Sequence, residues 1–224
     1  MNLPQPGDFI DIHTHDSVCS DGIFAVENIM AHEGPVPQNL SVVAFTAGIH
    51  PWHLNEDNRD KLLEFICAIA ANPGLIAFGE AGFDRLRGPS IDLQKSVFAD
   101  QVKIAVENKK PLIIHCVRAW DELLAAHKSL KPLTPWMVHG FRGKKELALQ
   151  LIKRGMYLSF WFDFVMRPES AELLRYLPKD RIFLETDGAE VDIKDIYKKV
   201  SDDLAVSIDE LKGIILYNYK QLFR

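Results

Sequence analysis

The feature that most restricts the fold is a rhythm. Short apolar runs alternate with longer stretches of helical spacing from one end of the chain to the other. The runs at 9–13, 41–50, 75–80, 111–116, 135–140, 156–160 and 181–187 read as strands, and 23–31 as one more, although a short helix would also fit there. Segments 57–72, 92–109, 119–130, 144–155, 168–178, 192–205 and 207–223 read as helices. In the first of these, Leu62, Leu63, Phe65, Ile66, Ile69 and Ala70 recur at helical spacing, and Asn72-Pro73-Gly74 ends the pattern. In the last, Ser207 with Glu210 three residues on is a capping box. Alternation of this kind predicts a parallel sheet covered by helices. A doubly wound sheet and a closed barrel both satisfy it. Residues 14–22 and 32–40 are too short and too rich in turn residues for full crossover helices, so the early connections are expected to be shortened. No repeat, linker or low-complexity tract interrupts the 224 residues, and one domain over 1–224 is expected.

Composition removes several functions. The chain is 47% apolar and 25% charged, with a net charge of -5. That balance opposes indiscriminate attraction to nucleic acid, while leaving room for a local basic rim. Three cysteines without CxxC spacing argue against a disulfide scaffold and for a reducing compartment. Cys116, after an apolar run, reads as a small buried residue. No secretory segment and no run of 18 apolar residues is visible. The expectation is therefore a cytoplasmic protein with no membrane association and no obligate protein partner.

The chemistry gathers where the strands end. His13 and His15 close the first strand, His50 the 41–50 strand, Glu80 the run LIAFGE, His115 the run PLIIH, His139 the run WMVH and Asp187 the run RIFLETD. A single His beside an apolar run is usually a core or loop residue, and a single Asp a helix cap. Repetition over so many strands is the signal, because a barrel collects the C-terminal ends of its strands around one mouth. His13 and His15, at i and i+2 on a strand, point to one side. Imidazole suits zinc, iron, cobalt or nickel, carboxylates admit manganese and magnesium, and the absence of paired thiolates opposes a closed structural zinc site. Leaving His50 aside, four His, one Glu and one Asp exceed one tetrahedral shell and suffice for two ions if a carboxylate bridges them.

The ordered pieces DIHTH, GIHPW, GEAGFD, PLIIHCVRAWDELL, HGFRG, ETD and NYKQLF together resemble the TatD-type metal-dependent hydrolases of the amidohydrolase-like superfamily. The resemblance implies a distorted TIM-type (β/α)8 barrel. It implies that His13, His15 and Asp187 bind one divalent ion, that Glu80 bridges, and that His115 and His139 bind a second, the ions being magnesium, manganese or zinc. It also implies deoxyribonuclease activity on DNA ends, including 3′-5′ exonuclease action. The chain departs from the family after ETD, where GAEVDIKD lacks a proline and a long basic loop, and in the short region after DIHTH. Both departures shrink the walls of the mouth.

The expected chemistry is hydrolysis of a phosphodiester by water, with Asp187 orienting the water and accepting its proton. Arg118 and Arg142, each three residues past a site histidine, are expected to grip phosphate oxygens, although Lys144 and Lys145 beside Arg142 also suit a solvated surface. His50 is expected to donate to phosphate, with strand capping as the plain alternative. Asp84 reads as a group bracing the site or a turn residue, and the aromatic FWFDF (160–164) as rim packing. Two other functions stay open. One keeps the metals and hydrolyses a small ester, amide or nucleotide-like substrate; the other is a ligand-binding barrel without catalysis.

Overall fold

The computed structural model describes residues 3–15, 20–34, 36 and 44–223. Residues 41–43 of the 41–50 strand, most of 32–40 and Cys19 lie outside the described residues. The strands are β1 (Phe9–Thr14), β2 (Ile23–Met30), β3 (Phe45–Gly48), β4 (Leu75–Asp84), β5 (Leu112–Val117), β6 (Trp136–Val138), β7 (Tyr157–Trp161) and β8 (Ile182–Glu185). The helices are α1 (Arg59–Ile69), α2 (Ile91–Glu107), α3 (Trp120–Leu130), α4 (Lys145–Ile152), α5 (Phe162–Val165), α6 (Pro168–Tyr176), α7 (Ile193–Leu204) and α8 (Ile208–Leu222). The strands follow one another in sequence order within one sheet. β1 pairs with β2, β3 with β4, β4 with β5 and β7 with β8, each in parallel. β1 also runs beside β8, where the Asp187 amide donates to the His13 carbonyl at 3.1 Å. This is the connectivity of a distorted TIM-type barrel. The early crossovers are short as expected: among the described residues, a single 3₁₀ turn (Ala31–Glu33) stands between β2 and β3.

The chain divides into two compact units, Met1–Glu27 with Val138–Arg224, and Asn28–Met137. In the first, Ile10, Ile12, Leu158, Phe160, Phe183 and Leu184 are buried on the strands, and Ile196, Tyr197 and Val200 of α7 and Leu211 and Ile215 of α8 are buried with them. The Tyr197 hydroxyl both accepts from the Ile10 amide and donates to the Ile10 carbonyl, at 3.1 Å each. Asn218, from the NYKQLF motif, donates to the carbonyls of Lys179 and Ile182 and ties α8 to the start of β8. In the second unit all ten residues of β4 are buried. Phe83 packs on Phe98 of α2, and Phe98 on Trp136.

One boundary differs in a way that matters. The sequence reading ends a strand at Glu80, whereas β4 continues to Asp84, pairing Ala81 with Ile114 and Gly82 with His115. Glycine makes the extension possible, since a Cβ at Gly82 would stand 1.9 Å from the His115 carbonyl oxygen, and φ there is +155°. Glu80 and His115 therefore sit within their strands rather than at the tips.

Candidate metal centre

In the first unit, β1 delivers His13 fully buried and His15 half-exposed just past the strand. Asp187 stands two residues beyond β8 in a left-handed conformation, φ +53°. This bend carries its carboxylate to the imidazoles. Oδ1 lies 3.6 Å from His13 Nε2 and 3.9 Å from His15 Nε2. The two rings meet edge-on, with centroids 5.3 Å apart. His139 follows β6 directly, and its ring centroid lies 4.5 Å from that of His13.

Glu185, which the sequence reading did not single out, completes this group. It is fully buried. The Gly140 amide donates to its Oε1 at 2.6 Å, the Ser159 hydroxyl donates to Oε2, and His139 Nδ1 stands 3.7 Å from Oε1. Burial pushes this carboxyl up, but His139, the nearby His13 and the Ser159 hydroxyl outweigh it and hold Glu185 below the ordinary range. A signal was present: Glu185 and Asp187 have the same i, i+2 spacing that drew attention to His13 and His15. Asp11 is turned away from this chemistry. Its oxygens accept from the Thr186 amide at 3.0 Å and hydroxyl at 2.6 Å, and burial raises its carboxyl to about 7 against those bonds.

In the second unit, Glu80 of β4 faces two imidazoles. Its Oε2 lies 3.6 Å from His50 Nε2 and 3.4 Å from His115 Nδ1. Asn28, also unremarked in the sequence, orients the carboxylate: its side-chain amide donates to Glu80 Oε1 at 3.2 Å, while its Oδ1 accepts from the Glu80 amide and the Thr46 hydroxyl. Asp84 lies behind His115. Its Oδ2 is 3.3 Å from His115 Nε2 and accepts from Trp52 Nε1 at 2.6 Å, and its Oδ1 accepts from the amides of Leu86 and Arg87. Burial pushes the Asp84 carboxyl up, and these hydrogen bonds together overcome it and set it below the ordinary value. His50 stands two residues past β3 as N-cap of the 3₁₀ turn Pro51–His53.

Among the described residues, three groups that each lie within a single unit offer one ligand atom per residue with those atoms within 4.8 Å of one another: His13, His15 and Asp187; His139, Glu185 and Asp187; and His50, Glu80 and His115. Buried carboxylates and imidazoles without thiolates are the donor set of a reactive divalent-metal site, so the residues present fit such ions. The arginines lie outside these groups. Arg118 is exposed just after β5, with φ +51°. Arg142 stacks over the Trp161 ring at 5.3 Å and lines a cavity of about 380 Å³ with Lys144, Lys145 and Arg167. No helix among the described residues is long and apolar enough to cross a membrane.

The family model described as TatD related DNase matches residues 35–224. A 3′-5′ ssDNA/RNA exonuclease TatD of Citrobacter koseri is 32% identical over 165 residues, covering 69% of this chain and 61% of that protein. The chain thus spans about three fifths of the length of that relative. An uncharacterized metal-dependent hydrolase, YabD of Bacillus subtilis, is 28% identical over 77% of this chain and 75% of its own length. Among solved structures, the TATD homolog YJJV of Escherichia coli k12 superposes with a TM-score of 0.78 at 20% identity, covering 98% of this chain and 99% of the other. At that identity the likeness speaks for the fold.

Proposed function

Since this chain belongs to the TatD-related DNase family, we propose that within that class of metal-dependent hydrolases it is a phosphodiesterase acting on DNA ends, a 3′-5′ exodeoxyribonuclease. The observation that carries the reading is the approach of two imidazoles, buried His13 and half-buried His15, to one carboxylate oxygen of Asp187. His13, His15 and Asp187 would hold one divalent ion, and Glu80, His115 and His139 are the other proposed metal ligands. Bound magnesium, manganese or zinc supplies Lewis acidity and lowers the pKa of a water. Asp187 would orient the attacking water and accept its proton. Glu185, anchored by the Gly140 amide and the Ser159 hydroxyl, faces His139 Nδ1 at 3.7 Å and would orient that ring. Arg118 and Arg142 supply guanidinium groups for the phosphates along the strand.

A second reading, a small ester, amide or nucleotide-like substrate, has one observation in its favour. The cavity of about 660 Å³ beside His15 is lined by Glu190 and Asp192 as well as Thr14 and Thr186. Acidic walls repel a polyanion and tolerate a small neutral molecule.

The deciding assay uses single-stranded DNA labelled at either end, with magnesium, manganese and zinc in turn, beside a panel of small esters and amides. Shortening of the strand from its 3′ end is expected. Asp187→Asn is expected to leave the circular dichroism spectrum unchanged and to slow hydrolysis about 100-fold or more. Turnover of the small substrates alone, or an unchanged rate in the variant, would overturn the reading.

A further inference from the structure

Two imidazoles face one oxygen of Glu80, and the hydrogen bonds on their far sides determine what each presents to it. His50 Nδ1 accepts from the Trp52 backbone amide at 3.1 Å. A backbone N–H can only donate, so Nδ1 carries the lone pair and the His50 proton sits on Nε2. The backbone enforces this, because His50 caps the turn from which the amide comes. It is therefore an N–H that His50 directs at Glu80 Oε2, 3.6 Å away.

His115 is the reverse. Its Nε2 faces Asp84, whose carboxylate already accepts from the Leu86 amide, the Arg87 amide and Trp52 Nε1. Three obligate donors mark that carboxylate as an acceptor, so the fourth group, His115 Nε2 at 3.3 Å, donates as well. Nδ1 of His115 is left with a lone pair 3.4 Å from Glu80 Oε2. A lone pair set against a carboxylate oxygen is repulsive, and a divalent ion bound to both relieves it.

We propose that Glu80 and His115 are the metal ligands of this cluster, and that His50 is a hydrogen-bond donor, not a ligand, whose Nε2–H contacts an anionic oxygen of the phosphodiester. The identity of that oxygen rests on the hydrolytic function proposed above; the division of roles between the two histidines does not. For His50 to ligate through Nε2, its proton would have to move to Nδ1, where two N–H groups would then oppose each other. His50 thus stabilises negative charge without transferring a proton, as a preorganised donor does.

The test combines metal content with imidazole spectroscopy. The full chain and its His50→Ala, His50→Gln and His115→Ala variants are loaded with zinc and desalted, and ions per chain are measured by elemental analysis. Long-range ¹H–¹⁵N spectra of histidine-labelled wild type report the tautomers. Expected results are a wild-type ion count in His50→Ala, the loss of about one ion per chain in His115→Ala, and an Nε2–H tautomer for His50. With manganese, His50→Ala should cleave a labelled oligonucleotide about 100-fold more slowly, and His50→Gln, which restores an N–H donor, should recover part of the loss. An ion lost from His50→Ala, or an Nδ1–H tautomer at His50, overturns the proposal. Should His50→Ala not fold, His50→Gln and the wild-type spectrum decide by the same criteria. If wild type cleaves no phosphodiester, the hydrolytic function fails while metal count and tautomer still decide the assignment.

Discussion

Removing Asp84 is the most informative single change, because that one buried carboxylate receives four hydrogen bonds and touches a metal-type histidine. Asp84→Ala strands the Leu86 and Arg87 amides, Trp52 Nε1 and His115 Nε2, which now approach its oxygens at 2.7, 3.0, 2.6 and 3.3 Å. Trp52 is 40% exposed, so water replaces part of what is lost. Hydrogen bonds to a charged group contribute roughly 1.5–3 kcal/mol each when buried, and with that replacement a net loss of about 2–3 kcal/mol is expected. The larger effect falls on the metal. Groups that orient a metal-binding histidine typically change affinity about 10–100-fold, or roughly 1.4–2.7 kcal/mol. Asp84→Asn keeps the volume but not the chemistry. Whichever way its amide turns, an NH₂ meets two N–H donors, either Trp52 and His115 or the two backbone amides. Asparagine should therefore bind zinc no better than alanine does. Urea unfolding measures the stability change, and competition with a chromophoric chelator measures the affinity. Wild-type zinc affinity in Asp84→Asn would refute the reasoning, since it would mean that His115 is set by packing alone.

Two smaller predictions concern the scaffold. Desolvation pushes the Cys116 thiol up, whereas Cys67 is exposed. A thiol reagent at pH 8 should therefore modify Cys67 about tenfold faster or more, as read from labelled peptides by mass spectrometry; equal rates would show that the β5 end opens readily. The Ser207 hydroxyl accepts from the Glu210 amide at 3.1 Å and caps α8. Ser207→Ala should cost about 1 kcal/mol and lower the melting temperature by roughly 2–4 °C, and an unchanged melting curve would show that the cap contributes nothing.

Much of this architecture is legible in one dimension because helix and strand periods are local. Leu62 and Ile66 are buried on α1, as their spacing implies. The Ser207 cap likewise needs only its next three residues. The residue types for a metal site were equally plain, since His and carboxylate recur after buried runs. What sequence spacing could not supply was partnership. Asn28 reads as an ordinary polar residue in a strand, yet it lies 52 positions before the glutamate whose carboxylate and amide it holds. The length of β4 escaped for the same reason: a run of Gly, Glu, Ala, Gly reads as the end of a strand until a neighbouring backbone is close enough to require Gly82.

By itself the sequence determined the order of strands and helices, the donor types at their junctions and the family to which they belong, because each follows from short-range pattern and residue chemistry. Only the tertiary structure decided which nitrogen of each histidine faces which oxygen. A side chain cannot choose its own tautomer: the Trp52 amide chooses for His50 and Asp84 for His115, and those partners meet only when the chain has folded.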